Sequence, residues 1–174
     1  MSELKKQPCP FCNKKELTLI EETYNIPNFG RCFLLSMKCS NCNYYKSDVE
    51  AEERKEPTSQ TFKIENKKDL NTKIIRSSEA TIKIPQLKMD SRPSVASIGY
   101  ISNIEGLLLR FKKIIEQQRD AADDPKIRKA AKNLLKKLWK VELGEAPLKI
   151  IIEDPSGNSA IVSEKTEVKK LKTN

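Results

Sequence analysis

Two cysteine pairs, Cys9-Pro-Phe-Cys12 and Cys39-Ser-Asn-Cys42, stand 26 residues apart and constrain this chain more than any other feature. Paired Cys-x-x-Cys segments are the ligand spacing of a tetrahedral zinc site. Each short loop lets two thiolates converge on one ion, and the ion then closes a long loop that polar residues alone would hold poorly. Asn13 and Asn43 follow the two pairs. Asn is the non-glycine residue that best tolerates positive φ, which suits a tight turn at both places. The competing arrangement is two disulfides or unpaired buried thiols, and the disulfides would belong to an exported chain. The opening residues MSELKKQP lack the apolar run of a signal peptide, so one structural Zn²⁺ held by Cys9, Cys12, Cys39 and Cys42 is expected.

At 174 residues there is room for one ordinary domain and a small module. Charged residues make up 33% of the chain, and no apolar run reaches the length of a membrane span, so a cytoplasmic protein is expected. The net charge of +9 is unevenly placed. Residues 1–56 balance at 9 basic and 9 acidic, and residues 144–174 at 5 and 5, whereas 57–102 carry 8 against 4 and 103–143 carry 11 against 6. A basic middle attracts acidic proteins or RNA, although a solvated lysine-rich helix gives the same pattern. Histidine is absent. Its absence removes Ser-His and Cys-His nucleophile pairs and the commonest general acid–base group. The five glycines never cluster into a phosphate-binding loop. A non-enzymatic protein is expected.

Residues 1–8 read as a polar lead-in. Leu17–Ile26 alternates as a strand, 27–30 reads as a turn, Arg31–Cys39 as a second strand and Tyr44–Glu52 as a third. Strands hanging from two cysteine loops make a zinc ribbon over 1–56. Cys32 lies mid-strand, away from both loops, and reads as a small buried hydrophobe. The polar segment 53–60 marks a boundary. Thr61–Glu65, Thr72–Ser77 and Ala80–Met89 are short, β-branched and alternating, the signature of a sandwich or barrel, with Pro85 interrupting the last. Residues 90–99 read as a loop.

Ser102 and Glu105 have capping-box spacing, and Ile104, Leu107, Leu108, Phe111 and Ile115 follow on one helical stripe. Asp124 and Pro125 start a second helix striped by Ile127, Ala131, Leu134, Leu138 and Val141, broadened by Leu135 and Trp139 and ended by Gly144. The pair predicts a helical hairpin over about 103–143. Leu148–Glu153 is a strand, Asp154–Asn158 reads as a hairpin turn, and 159–163 as the returning strand, completing a β unit over 57–164. Residues 165–174 form a polar tail expected to fray.

In order, CPFC, IPNFG, CSNCNYY, IIRSSEATIKIPQL, SNIEGLL and IIIEDPSGNSAI resemble the ZPR-one zinc-finger family across residues 9–161. The resemblance implies an α+β, mostly β fold: an N-terminal four-cysteine zinc ribbon, then a small double-stranded β-helix-like domain with an inserted α-helical hairpin. Eukaryotic members carry the unit twice; this chain is similar to the short archaeal relatives that carry it once. It departs from the family at Gln86 and Lys88, where acids are usual. The family's eukaryotic proteins bind translation elongation factor 1-alpha, so the implied partner is the equivalent GTPase, which this module would bind or chaperone. Partner-binding candidates carried over from the family motifs are Ile26, Pro27, Phe29 and Gly30 at the ribbon tip, and Asp154, Gly157 and Asn158 in a second patch that turn geometry alone also explains. The alternative is a zinc-ribbon protein that binds tRNA or rRNA through its basic helices.

Overall fold

The computed structural model describes residues 1–26, 30–94 and 96–171. Four strands form the ribbon sheet, in spatial order β1 (Ser2–Gln7), β2 (Leu17–Ile26), β3 (Gly30–Cys39) and β4 (Tyr45–Ala51). β2 and β3 pair antiparallel from Leu17↔Cys39 to Ile26↔Gly30, a ladder long enough to carry the second cysteine pair back to the first. The expected polar lead-in is instead strand β1, whose Ser2, Glu3 and Leu4 pair with Glu21, Ile20 and Leu19. Its side chains are almost wholly exposed. Backbone pairing on a free sheet edge, which needs no apolar alternation, therefore accounts for it.

Two further sheets build the second unit. One runs β12 (Glu167–Lys170), β5 (Thr58–Ile64), β10 (Leu148–Asp154), β7 (Thr81–Ile84) and β8 (Met89–Ser91). The other runs β11 (Ala160–Val162), β6 (Lys73–Arg76) and β9 (Tyr100–Asn103). Phe62, Ile64, Ile82, Ile84, Ile150 and Ile152 of the first share one core with Ile74 and Ile161 of the second. Strand β5 starts at Thr58, inside the segment expected to be a boundary, because Gln60 is buried and bridges the sheets: its Nε2 donates to Ser159 O at 2.7 Å and its Oε1 accepts from Ile161 N at 2.8 Å. Residues 167–170 of the expected tail are strand β12, paired with β5.

The segment after β10 also differs from expectation. Asp154–Asn158 does not return the chain beside β10; it carries the chain across to β11, which pairs with β6 in the opposite sheet. Both neighbours of β10 are already taken, by β5 and β7. Turn residues report a change of direction, not which strand waits on the far side. Pro85 opens a 3-10 turn, Pro85–Leu87, that splits the long strand expected over 80–89.

Two helices, α1 (Ile104–Ala121) and α2 (Pro125–Glu142), cover this core, and all five residues expected on the α1 stripe are buried. Helix α1 is capped by Asn103, whose Oδ1 accepts from Gly106 N at 2.8 Å, one residue later than the expected Ser102 cap. Ser102 is held in β9 opposite Ile74. The α2 start matches expectation, with Asp124 accepting from Lys126 N at 2.7 Å. Of the α2 stripe, Ala131, Leu138 and Val141 are buried, but Ile127 and Trp139 are 55% and 54% exposed. Ile127 sits in the first turn, beyond the end of the core, and Trp139 flanks the lysine side of the helix.

Ribbon and β unit meet at a small apolar seam of Cys32, Val49, Ile75 and Ala160, with Leu34 and Ala51 packed against it. Cys32 is fully buried there, as a hydrophobe should be, and burial raises its thiol pKa. Polar contacts flank the seam: Gly99 N donates to Asp48 Oδ1 at 2.7 Å, and Lys55 N to Ser156 O at 2.8 Å. Gly99 is required because a Cβ there would collide with the carbonyl oxygen of Val49.

Candidate metal centre

Each cysteine loop is built by the same two backbone bonds. Asn13 N donates to Cys9 O at 2.9 Å and Cys9 N to Lys14 O at 3.0 Å; in the second loop Asn43 N donates to Cys39 O at 3.1 Å and Cys39 N to Tyr44 O at 2.9 Å. Closing both loops places Asn13 and Asn43 in the left-handed region, at φ 58° and 57°. The asparagines therefore do what the sequence assigned to them.

The result is four thiols whose sulfurs all lie within 4.8 Å of one another. Cys9 Sγ is 3.7 Å from Cys42 Sγ, and Cys12 Sγ is 3.7 Å from Cys39 Sγ. A regular tetrahedron with Zn–S bonds of about 2.3 Å has sulfurs about 3.8 Å apart, so the donor set fits Zn²⁺ in both chemistry and spacing. The cage is also graded in burial, with Cys9 and Cys39 buried and Cys42 exposed. Packed this closely without a counter-charge, the thiols titrate unequally. Cys12 is lowered to about 7, chiefly by the backbone hydrogen bond from Lys14. At Cys42 the backbone hydrogen bond from Tyr44 favours the thiolate, but partial desolvation against the cage and the neighbouring thiols push it up to about 12. Zn²⁺ removes that conflict by taking four thiolates at once. Four sulfur ligands complete the coordination shell, so the ion supplies cross-linking and no Lewis-acid position for substrate. Leu17 is buried beneath the cage, and Leu19, Met37 and Tyr44 pack around it. Phe11 stacks on Tyr44 with ring centroids 5.1 Å apart and is itself 78% exposed.

The ribbon-tip candidates are only partly placed. Ile26 ends β2 opposite Gly30, which opens β3 at φ +96°; Pro27 and Phe29 lie outside the described residues. The second patch is placed in full. Asp154 continues the inward alternation of β10 and is completely buried. Its carboxylate accepts from Ser156 N and Oγ at 2.8 and 2.7 Å, and from Ser159 N and Oγ at 2.6 Å each. Burial alone would raise its pKa; the Ser159 and Ser156 donors outweigh it and hold the carboxyl below its usual value. Asn158 is buried as well. Gly157, at φ +69°, lies against the backbone of Lys55 and Glu56, where a Cβ has no room. The sequence signal missed in this region was Gln60, a polar residue in an otherwise alternating strand that ties the patch to the opposite sheet.

Comparison with known proteins matches residues 3–56 to the ZPR1 zinc-finger domain and residues 68–174 to the ZPR1 jelly-roll domain. Strand β5 falls between the two matched segments, although it is integral to the larger jelly-roll sheet. An uncharacterized ZPR1-like protein of Pyrococcus horikoshii is 36% identical over 98% of this chain and 78% of that protein. Another, of Methanocaldococcus jannaschii, is 34% identical over 96% of this chain and 85% of its own length. The zinc finger chaperone zpr1 of Schizosaccharomyces pombe is 27% identical over 88% of this chain, which spans only 33% of that longer protein. With ribbon and jelly roll both matched in order, and near full-length similarity to archaeal relatives, this chain belongs to the ZPR1 zinc-finger family.

Proposed function

We propose that this protein is a non-catalytic interaction module that binds or chaperones a translation GTPase of the elongation factor 1-alpha type in the cytoplasm. The observation that carries the reading is the closed four-thiolate cage: it can hold a surface in shape, and it has no coordination position left for chemistry. A chain without histidine adds to that reading. The fission-yeast relative is named a chaperone, and the family resemblance supplies the GTPase as partner. Among the described residues no helix is long and apolar enough to cross a membrane. The test is complex formation between the zinc-loaded chain and purified archaeal elongation factor 1-alpha at micromolar concentrations, with GTP, GDP or neither. A nucleotide-dependent complex is the expected result, and no complex in any of the three conditions rejects the reading.

A second reading, RNA binding, is favoured by one observation on α2. Lys129, Lys132, Lys136 and Lys140 lie on its solvent side, none paired with a carboxylate among the described residues, and Trp139 stands half-exposed beside them. Cations flanking an exposed aromatic suit a single strand. Titration with tRNA separates the readings: affinity falling steeply with salt supports this one, and no binding at low salt ends it.

A further inference from the structure

A cleft of about 660 Å³ runs between α1 and strand β9, and no residue of α2 lines it. Three cations face it: Arg76, Arg110 and Lys113. Among the described residues none of the three is within ion-pair distance of a carboxylate. Arg76 is the unusual one, because it is only 7% exposed. Its Nε and Nη2 donate to Ala80 O at 3.3 and 2.9 Å, and Nη1 reaches Ile98 O at 3.5 Å, so its partners are neutral carbonyls. A guanidinium cannot shed its proton, has five N–H groups, and is costly to bury without a counter-charge. The Tyr100 ring gives partial compensation, with Arg76 Cζ 5.7 Å and Arg110 Cζ 4.1 Å from its centroid. Two cations beside one ring still leave the cleft with an excess of positive charge.

The walls are apolar. Leu107 and Phe111 close the base, and Leu109 and Ile114 stand at the rim, 47% and 44% exposed. Beyond Tyr100 and Arg110 the cleft continues into a second groove of about 380 Å³ against the ribbon, where Glu22 and Asp48 face it. A nucleic-acid backbone laid along both grooves would bring phosphates against those two acids. A peptide can put one carboxylate where the cations are and apolar side chains elsewhere.

We propose that this cleft is the docking site for an acidic, apolar segment of a protein partner. An Asp or Glu side chain sits at Arg110 and the free N–H groups of Arg76, over Tyr100, and a neighbouring Leu- or Phe-type side chain packs on Leu109 and Ile114. The volume is that of a site for a few side chains. The proposal rests on the interaction-module reading above but not on the elongation factor being the partner.

The test is selection from a random twelve-residue phage-displayed library on the immobilised zinc-loaded full chain, followed by anisotropy with the selected peptides and with a labelled oligouridylate. Selected sequences should pair Asp or Glu with Leu or Phe. Arg110→Glu should weaken them about tenfold or more, and Leu109→Ser should weaken them less. Lys129→Glu, on α2, should leave them unchanged. Arg110 is exposed and donates no hydrogen bond among the described residues, so its replacement spares the fold; circular dichroism of the variant checks this. Selection without acidic residues, no selectable peptide, indifference to Arg110→Glu, or displacement of peptide by equimolar oligouridylate each overturns the proposal. A positive result here with no elongation-factor complex keeps the cleft and rejects that partner; the reverse rejects the cleft alone.

Discussion

Around the thiols the ribbon buries Cys9, Leu17 and Cys39 and little else among the described residues, whereas the jelly roll and its helices share one core from Phe62 through Ile82, Ile150 and Ile152 to Leu107, Phe111 and Leu138. The first unit is held by a point attachment, the second by area. Both are β-sheet, both are antiparallel, and they touch at the four-residue seam around Cys32. The difference teaches that strand length and hydrogen bonding do not set stability here. The ribbon has the longest strands in the molecule, at 10 residues each, yet it has too few buried side chains to fold on apolar burial alone.

The sharpest way to break that contrast is to remove the metal. Structural zinc sites in small modules supply on the order of 10–16 kcal/mol, so chelation or the Cys39→Ser/Cys42→Ser double variant should abolish amide-exchange protection in β1–β4. Protection in β5, β7 and β10 should survive, and its simultaneous loss would show that the ribbon is not a separately stabilised unit. Next in size is the mirror experiment. Phe62→Ala opens a cavity in the larger core and should cost about 3–5 kcal/mol by denaturant unfolding, while zinc content stays at one per chain.

Asp154 sharpens the jelly-roll side through pH. Its folded pKa is lowered, so its contribution is fully present above the unfolded value of about 3.9 and is lost as pH falls through the lower folded value. Asp154→Asn should cost about 2–4 kcal/mol near neutral pH and flatten the stability loss below about pH 4. An unchanged acid limb in the variant would contradict the four-donor arrangement. Cys32→Ser tests the seam: a buried hydroxyl there should cost about 1–3 kcal/mol and loosen exchange protection in β3 and β6 together. The smallest effect is local. Asn13→Ala keeps a β-carbon at φ 58° but loses the short polar side chain that eases that conformation, and should weaken zinc retention by about 1–2 kcal/mol in chelator competition, with Asn13→Gly close to neutral.

What could be read from the chain follows the same division. The cage was legible because its information is local: two loops, two spacings, two asparagines. The helices were legible because Ile104, Leu107, Leu108, Phe111 and Ile115 repeat at the helical period against a core that accepts them. Family resemblance, not periodicity, narrowed a sandwich or barrel to the fold that the jelly-roll match describes. Edge strands β1 and β12 were not legible, since their residues are polar and pair through the backbone alone. Nor was the path after Asp154, whose turn chemistry is the same for a hairpin and a crossover. Trp139 reads with the apolar face, but it stands one residue past buried Leu138, about 100° further round the helix, and is 54% exposed. Arg76 carried no signal of its own; one charge at the end of an apolar strand looks like an ordinary exposed terminus.

Strand β6 is only four residues long, yet consecutive positions answer to different neighbours: Ile74 to the jelly-roll core, Ile75 to the ribbon, Arg76 to the cleft beside Tyr100. A strand written this way has no spare letter. Sliding it by one residue one way would push the Arg76 guanidinium into the seam, and sliding it the other way would put Lys73 in the core's place. Length changes in the connection before Lys73 should thus be far less tolerated than at exposed residues 92–94, and a library of single-residue insertions would draw that boundary directly.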